Sequence, residues 1–108
     1  VSETATRFVR VGRVGEVPDG RPEVFDVDDR KIAVYRIDGA YYAIDDICTH
    51  DGGPLAEGEV EGDEVICPRH GARFSIRTGK ALSFPAITPV DTYPVRVEGE
   101  DLLVGLPD

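Results

Sequence analysis

Short apolar runs, several of them alternating with polar positions, follow one another along the chain between Gly, Pro and Asp residues. That texture predicts strands joined by turns, and no segment predicts a helix. Phe8 to Val11, Arg13 to Val17, Glu23 to Val27, Ile32 to Ile37 and Ala40 to Ile44 read as strands. Pro18-Asp19-Gly20 is a turn. Asp38-Gly39 sits between the last two strands and suits a tight hairpin, because Gly tolerates positive φ. Val60 to Cys67 predicts a short hairpin around Gly62-Asp63, and Arg73 to Ile76 predicts one more strand. Phe84 to Pro89 holds two prolines and is excluded from a central strand. Tyr93 to Glu98 and Leu102 to Gly105 predict a final hairpin around residues 99 to 101.

Between Ile44 and Phe84 the pattern changes. Residues 45 to 59 carry three Gly, one Pro and few apolar side chains. The two strand-rich flanks look able to form one sheet structure, whereas the middle needs something other than apolar burial to order its loops. A bound metal cofactor supplies such order. The expected division is a single domain over 1–108, with a base part of about 1–44 and 85–108 and a cluster-binding part of about 45–84.

Composition sharpens the fold class. Val and Ile together outnumber Leu 21 to 5, and β-branched residues favour pleated surfaces over helices. The class is therefore all-β. The formal net charge is −9, which repels phosphate backbones and anionic lipids and makes nucleic acid and membrane surfaces poor partners. A partner with a basic docking patch suits it, although the acids also serve simple solubility. No apolar run approaches the roughly 20 residues that span a bilayer. The stretch Val1 to Val11 lacks a signal-peptide pattern. With only two cysteines there is no disulfide framework, and a reducing cytoplasm is the expected compartment.

The chemistry concentrates in two short loops. Cys48-Thr49-His50 is followed after 16 residues by Cys67-Pro68-Arg69-His70, and these are the only two Cys and two His of the chain. Each loop offers one thiol and one imidazole, a ligand pair suited to iron or zinc. Three other readings stand beside an iron–sulfur site. A mononuclear zinc site normally pairs like with like, in arms of C-x2–4-C and H-x3–5-H, whereas both arms here are mixed. A Cys48–Cys67 disulfide leaves the paired histidines unexplained. A Cys–His hydrolase dyad needs an orienting third group and a cleft, and neither is readable. For a 2Fe–2S centre the mixture has a charge rationale. Two ferric ions and two sulfides carry a net charge of +2, which two thiolates neutralise and four would overshoot to −2. The less negative centre accepts an electron more easily.

The loops Cys48-Thr49-His50 and Cys67-Pro68-Arg69-His70-Gly71 match the ligand loops of the Rieske family, which the chain resembles, more closely its small soluble ferredoxins. The run Arg73-Phe74-Ser75-Ile76-Arg77-Thr78-Gly79-Lys80 is similar to the segment after the family's second loop. Phe84-Pro85-Ala86 resembles its proline loop, and Tyr93-Pro94-Val95-Arg96-Val97 its C-terminal strand. The resemblance, from about Phe8 to Val104, implies three small antiparallel sheets, with a cluster-binding subdomain set into a base domain. It implies one 2Fe–2S cluster per chain, with Cys48 and Cys67 on an inner iron and His50 and His70 on an outer one near the surface. It implies a monomeric one-electron carrier that is not itself an enzyme and binds no small-molecule substrate. Its partners would be a flavin-dependent reductase and a terminal oxygenase such as an aromatic-ring-hydroxylating dioxygenase. A small subunit of an assimilatory nitrite reductase is the alternative within the family, and a zinc-stabilised binding module the alternative outside it.

High-potential respiratory members carry two further cysteines, and a Ser and a Tyr whose hydroxyls bond cluster sulfurs. This chain lacks the cysteines and has Ala72 and Phe74 at the hydroxyl positions. The resemblance therefore implies a potential toward the low end of the family's range.

Other residues carry smaller expectations. Asp51 reads as a solvated loop acid. Arg69 and Arg73 either dock an acidic partner or pair locally. Gly52, Gly53, Gly58 and Gly71 permit close turns. Tyr35, Tyr41 and Tyr42 read as packing residues rather than an electron relay.

Overall fold

The computed structural model describes residues 7–27, 29–47, 54–68, 71–84 and 88–106. Among the described residues ten strands run in chain order as β1 (Arg7–Arg13), β2 (Glu23–Val27), β3 (Arg30–Ile37), β4 (Ala40–Asp45), β5 (Val60–Glu61), β6 (Glu64–Ile66), β7 (Arg73–Ser75), β8 (Thr92–Tyr93), β9 (Val95–Glu98) and β10 (Asp101–Leu106). They form three antiparallel sheets, ordered β1-β10-β9, β2-β3-β4-β8 and β5-β6-β7. The all-β expectation and the three sheets agree with this. The flanks, however, build two sheets rather than one.

The β3–β4 hairpin anchors the molecule. Its register pairs Ile37 with Ala40 and Tyr35 with Tyr42. Both turn residues, Asp38 and Gly39, have positive φ, at 52° and 82°, which matches the right-handed twist of the strands. Side chains of β3 alternate between faces, and both faces are buried. Ile32 and Val34, with Ala43 of β4, pack on Val17, Leu102, Val104 and Leu106. Ala33, Tyr35 and Ile37, with Ile44 of β4, pack on Leu55, Val65, Cys67, Ala72, Phe74 and Ile76. The β2-β3-β4-β8 sheet is thus the middle layer, with the terminal sheet on one face and β5-β6-β7 on the other.

Two expected strands differ. Val14–Glu16 is a 3-10 turn rather than strand, because the Glu16 carboxylate accepts the Arg13 N–H at 2.8 Å. Such a local bond offers the backbone an alternative to a ladder. The run Tyr93 to Glu98 is split. Thr92–Tyr93 pairs with β4, while Val95–Glu98 pairs with β10. Pro94 lies between them, has no N–H to give a ladder, and marks where the chain changes sheets. A further 3-10 turn, Leu55–Glu57, lies in the stretch read as loop.

Gly58 ends that turn against β6. A Cβ there would lie 1.7 Å from the Ile66 carbonyl oxygen, so no side chain fits. Gly58→Ala is expected to lower stability by about 1–3 kcal/mol or more, read as the unfolding midpoint. Gly15→Ala, where a Cβ meets open space, is expected to change it by no more than about 0.5 kcal/mol. Equal midpoints for the two variants would contradict the close packing.

Where β4 meets β8, the Tyr93 hydroxyl donates to Asp45 Oδ1 at 2.5 Å and accepts from Arg30 Nη1 at 3.1 Å. Burial, followed by the bond to Asp45, pushes the phenol up to about 12. Burial also holds the Asp45 carboxyl above its ordinary range. The folded phenol binds its proton more tightly than the unfolded one, whose value is about 10. Its contribution is therefore complete below pH 10 and lost as the pH rises toward about 12. Denaturant titrations are expected to show stability falling across that window. The slope should be shallower in Tyr93→Phe; an equal slope would contradict it.

Candidate metal centre

The second ligand loop leaves β6 at Cys67 and enters β7 at Arg73. The Cys67 N–H donates to the Ala72 carbonyl at 2.7 Å, and the Gly71 N–H donates to the Cys67 carbonyl at 3.0 Å. Gly71 has φ +76°, a region that costs a β-carbon-bearing residue strain. These bonds close the loop at its neck. The Cys67 side chain is 1% exposed, carries a free thiol, and lies in the apolar cluster with Leu55, Ala72 and Phe74. Arg69 and His70 lie outside the described residues.

The first ligand loop leaves β4 after Asp45. The Asp46 N–H donates to the Lys31 carbonyl at 2.9 Å. The Asp46 side chain accepts the Ala56 N–H on Oδ1 at 2.7 Å. This single carboxylate ties together the two sides of the stretch 47–55, and it is the one buried charged residue among those described. Immediately beyond it, Leu55 is fully buried and Ala56 packs on the cluster that holds Cys67. Cys48, Thr49, His50, Asp51, Gly52 and Gly53 lie outside the described residues. The structure therefore brings the necks of both ligand loops to one apolar cluster, and of the four candidate ligands it places Cys67.

Arg73 settles its own role. Its Nη1 bonds Glu61 at 2.9 Å and Glu64 at 3.1 Å, which is local pairing along β5-β6-β7. Its N–H donates to Ser83 Oγ at 3.1 Å, and the Leu82 N–H donates to its carbonyl at 2.7 Å. The chain after β7 is thereby folded back beside the second loop. Phe84 is 82% exposed at that point, and Ile47, next to Cys48, is 48% exposed. Sequence reasoning missed Asp46. Its importance rests on a contact ten residues away, and the only local signal is an acid placed just before a ligand loop.

A 2Fe–2S cluster fits this donor set. A thiolate buried among apolar side chains is costly unless a cation neutralises it, and Cys67 sits in such a place, in a loop whose sequence also supplies His70.

Comparison with known proteins agrees with this reading. Residues 7–94 match the family described as the Rieske [2Fe-2S] domain. The 3-phenylpropionate/cinnamic acid dioxygenase ferredoxin subunit of Shigella boydii serotype 4 (strain Sb227) is 43% identical over 97 residues, 88% of this chain and 90% of that protein. The ferredoxin of carbazole 1,9a-dioxygenase from Nocardioides aromaticivorans IC177 superposes with a TM-score of 0.88 at 35% identity, over 95% of this chain and all of that one. A chain in the complex of reduced oxygenase and oxidized ferredoxin in carbazole 1,9a-dioxygenase superposes with a TM-score of 0.84 at 31% identity, over 91% of this chain and 92% of that one. The chain belongs to the Rieske [2Fe-2S] family, with one such cluster as its cofactor, and is a one-electron carrier of the ferredoxin type.

Proposed function

We propose that Cys48, His50, Cys67 and His70 hold the cluster and that this chain carries electrons, one at a time, from a flavin-dependent reductase to the terminal oxygenase of an aromatic-ring dioxygenase system. The observation that carries the reading is the convergence of both ligand-loop necks on the cluster of buried side chains around Cys67. When bound, the cluster supplies a site that accepts and releases one electron.

This chain's own residues do the rest. Cys67 is shielded from water by Leu55, Ala72 and Phe74, and Asp46 fixes the neck of the first loop. His50 and His70 would hold the outer iron, and Cys48 would join Cys67 on the inner one. The exposed Ile47 and Phe84 flank the loops in the chain and offer apolar surface to a docking partner. The relative from Shigella is named as a subunit of a dioxygenase, and one matched structure is a complex with an oxygenase; both support an oxygenase as electron acceptor. Among the described residues no helix is long and apolar enough to cross a membrane, and the cytoplasm is the compartment we propose.

Stopped-flow mixing tests the carrier role. The chemically reduced, cluster-loaded protein is mixed with the oxidised terminal oxygenase of a 3-phenylpropionate dioxygenase system. The expected result is reoxidation of the protein with one electron delivered per chain. A fully loaded protein that takes up an electron but leaves the oxygenase oxidised would overturn the proposal.

A further inference from the structure

Tyr35 is fully buried, yet among the described residues its hydroxyl meets no hydrogen-bond partner. Leaving a buried donor unmet is costly, and a native core rarely keeps one without a reason. The position of the ring supplies the reason. Tyr35 projects from β3 on the face that packs against Leu55, Cys67, Ala72 and Phe74, so it belongs to the cluster from which both ligand loops rise. It carries the one hydroxyl among the buried residues of that cluster; Ala72, Phe74, Leu55 and Ile76 have no donor in their side chains.

The neighbourhood of the ring agrees. β3 and β4 run antiparallel, so the Asp45 end of β4 lies beside Ile32 and the first ligand loop starts at that end. Asp46, the residue at the neck of that loop, acts on the Tyr35 phenol through its charge, second only to desolvation. Tyr35 is thus a buried, unmet donor in the cluster that shields Cys67, near enough to the neck of the first loop to feel the charge of Asp46.

Building on the four-ligand reading, we infer that the Tyr35 hydroxyl donates a hydrogen bond to a sulfur of the 2Fe–2S cluster and raises its reduction potential. Reduction places added negative charge on the cluster, and a donor to sulfur stabilises that form over the oxidised one. The bond comes from the floor of the site, through the central sheet, rather than from either ligand loop. A hydroxyl held on a two-sided buried strand has little freedom to turn away, so its influence is built into the fold.

The test compares the loaded wild-type protein with Tyr35→Phe, which keeps the ring and removes the donor, and with Tyr35→3-fluorotyrosine, which keeps the hydroxyl and makes it a stronger donor. The Phe variant is expected to shift the reduction equilibrium about fivefold toward the oxidised form. That is a fall of about 40 mV, at about 59 mV per tenfold change for one electron. The fluorotyrosine variant is expected to shift it in the opposite direction. In resonance Raman spectra, an Fe–S stretching band of the wild type should move on exchange into deuterium oxide, and that movement should be absent from Tyr35→Phe. Potentials unchanged in both variants, with deuterium shifts as in the wild type and full iron content, would overturn the inference and leave the four-ligand reading standing. A wild-type protein that cannot be loaded with iron and sulfide would overturn both.

Discussion

A buried sulfur is the constraint around which the rest of the molecule is arranged. The Cys67 side chain is enclosed by apolar neighbours at the base of a loop, where a bare thiolate would be unstable and a metal-bound one is not. Loops poor in apolar residues cannot order themselves by burial, and the metal supplies the missing free energy. The protein's task is to bring two such loops to one place. It does so with few bonds: Ala72 and Gly71 close the second neck on Cys67, and Asp46 closes the first on Ala56. Both necks rest on side chains from β3 and β4, so the site inherits the rigidity of the central sheet.

That sheet can serve as a platform because β3 is buried on both faces. One face is stabilised by the terminal strands and the other by the metal-bearing side, so order in each region supports the other. The exposed ion pairs contribute little. Lys31–Asp26 and Arg10–Asp101 are solvent-facing, and pairs of that kind are typically worth up to about 1 kcal/mol. The Asp45–Tyr93–Arg30 chain differs, since it is partly buried and joins the end of β4 to β8, close in sequence to the first ligand loop.

Legibility followed locality. The β3–β4 hairpin was readable because an apolar β-branched run, an Asp-Gly turn and a return run all lie within 14 residues of sequence. The ligand motif was readable because the choice of Cys and His is imposed by metal chemistry, whatever surrounds it. Arg13 to Val17 misled because a single carboxylate, Glu16, redirects the backbone there. Tyr93 to Glu98 misled because its two halves belong to different sheets, and the pattern of side chains does not record which partner each half has. Asp46 and Tyr35 were not legible as site residues at all. An acid before a loop and a tyrosine on a strand are ordinary in sequence, and their meaning comes from Ala56 and Cys67 meeting them in space. Gly58 was read as a turn former, while its tight fit against the Ile66 carbonyl emerged only with β6 in place.

The most direct measurement of the central claim uses the fact that the chain has only two histidines. Labelling them with nitrogen-15 and recording electron–nuclear double resonance on the reduced protein reads both ring nitrogens at once. The account predicts strong coupling from two histidine nitrogens to one electron spin. A reduced cluster with no histidine coupling, or a protein that holds a single zinc ion and gives no spin signal, would contradict it.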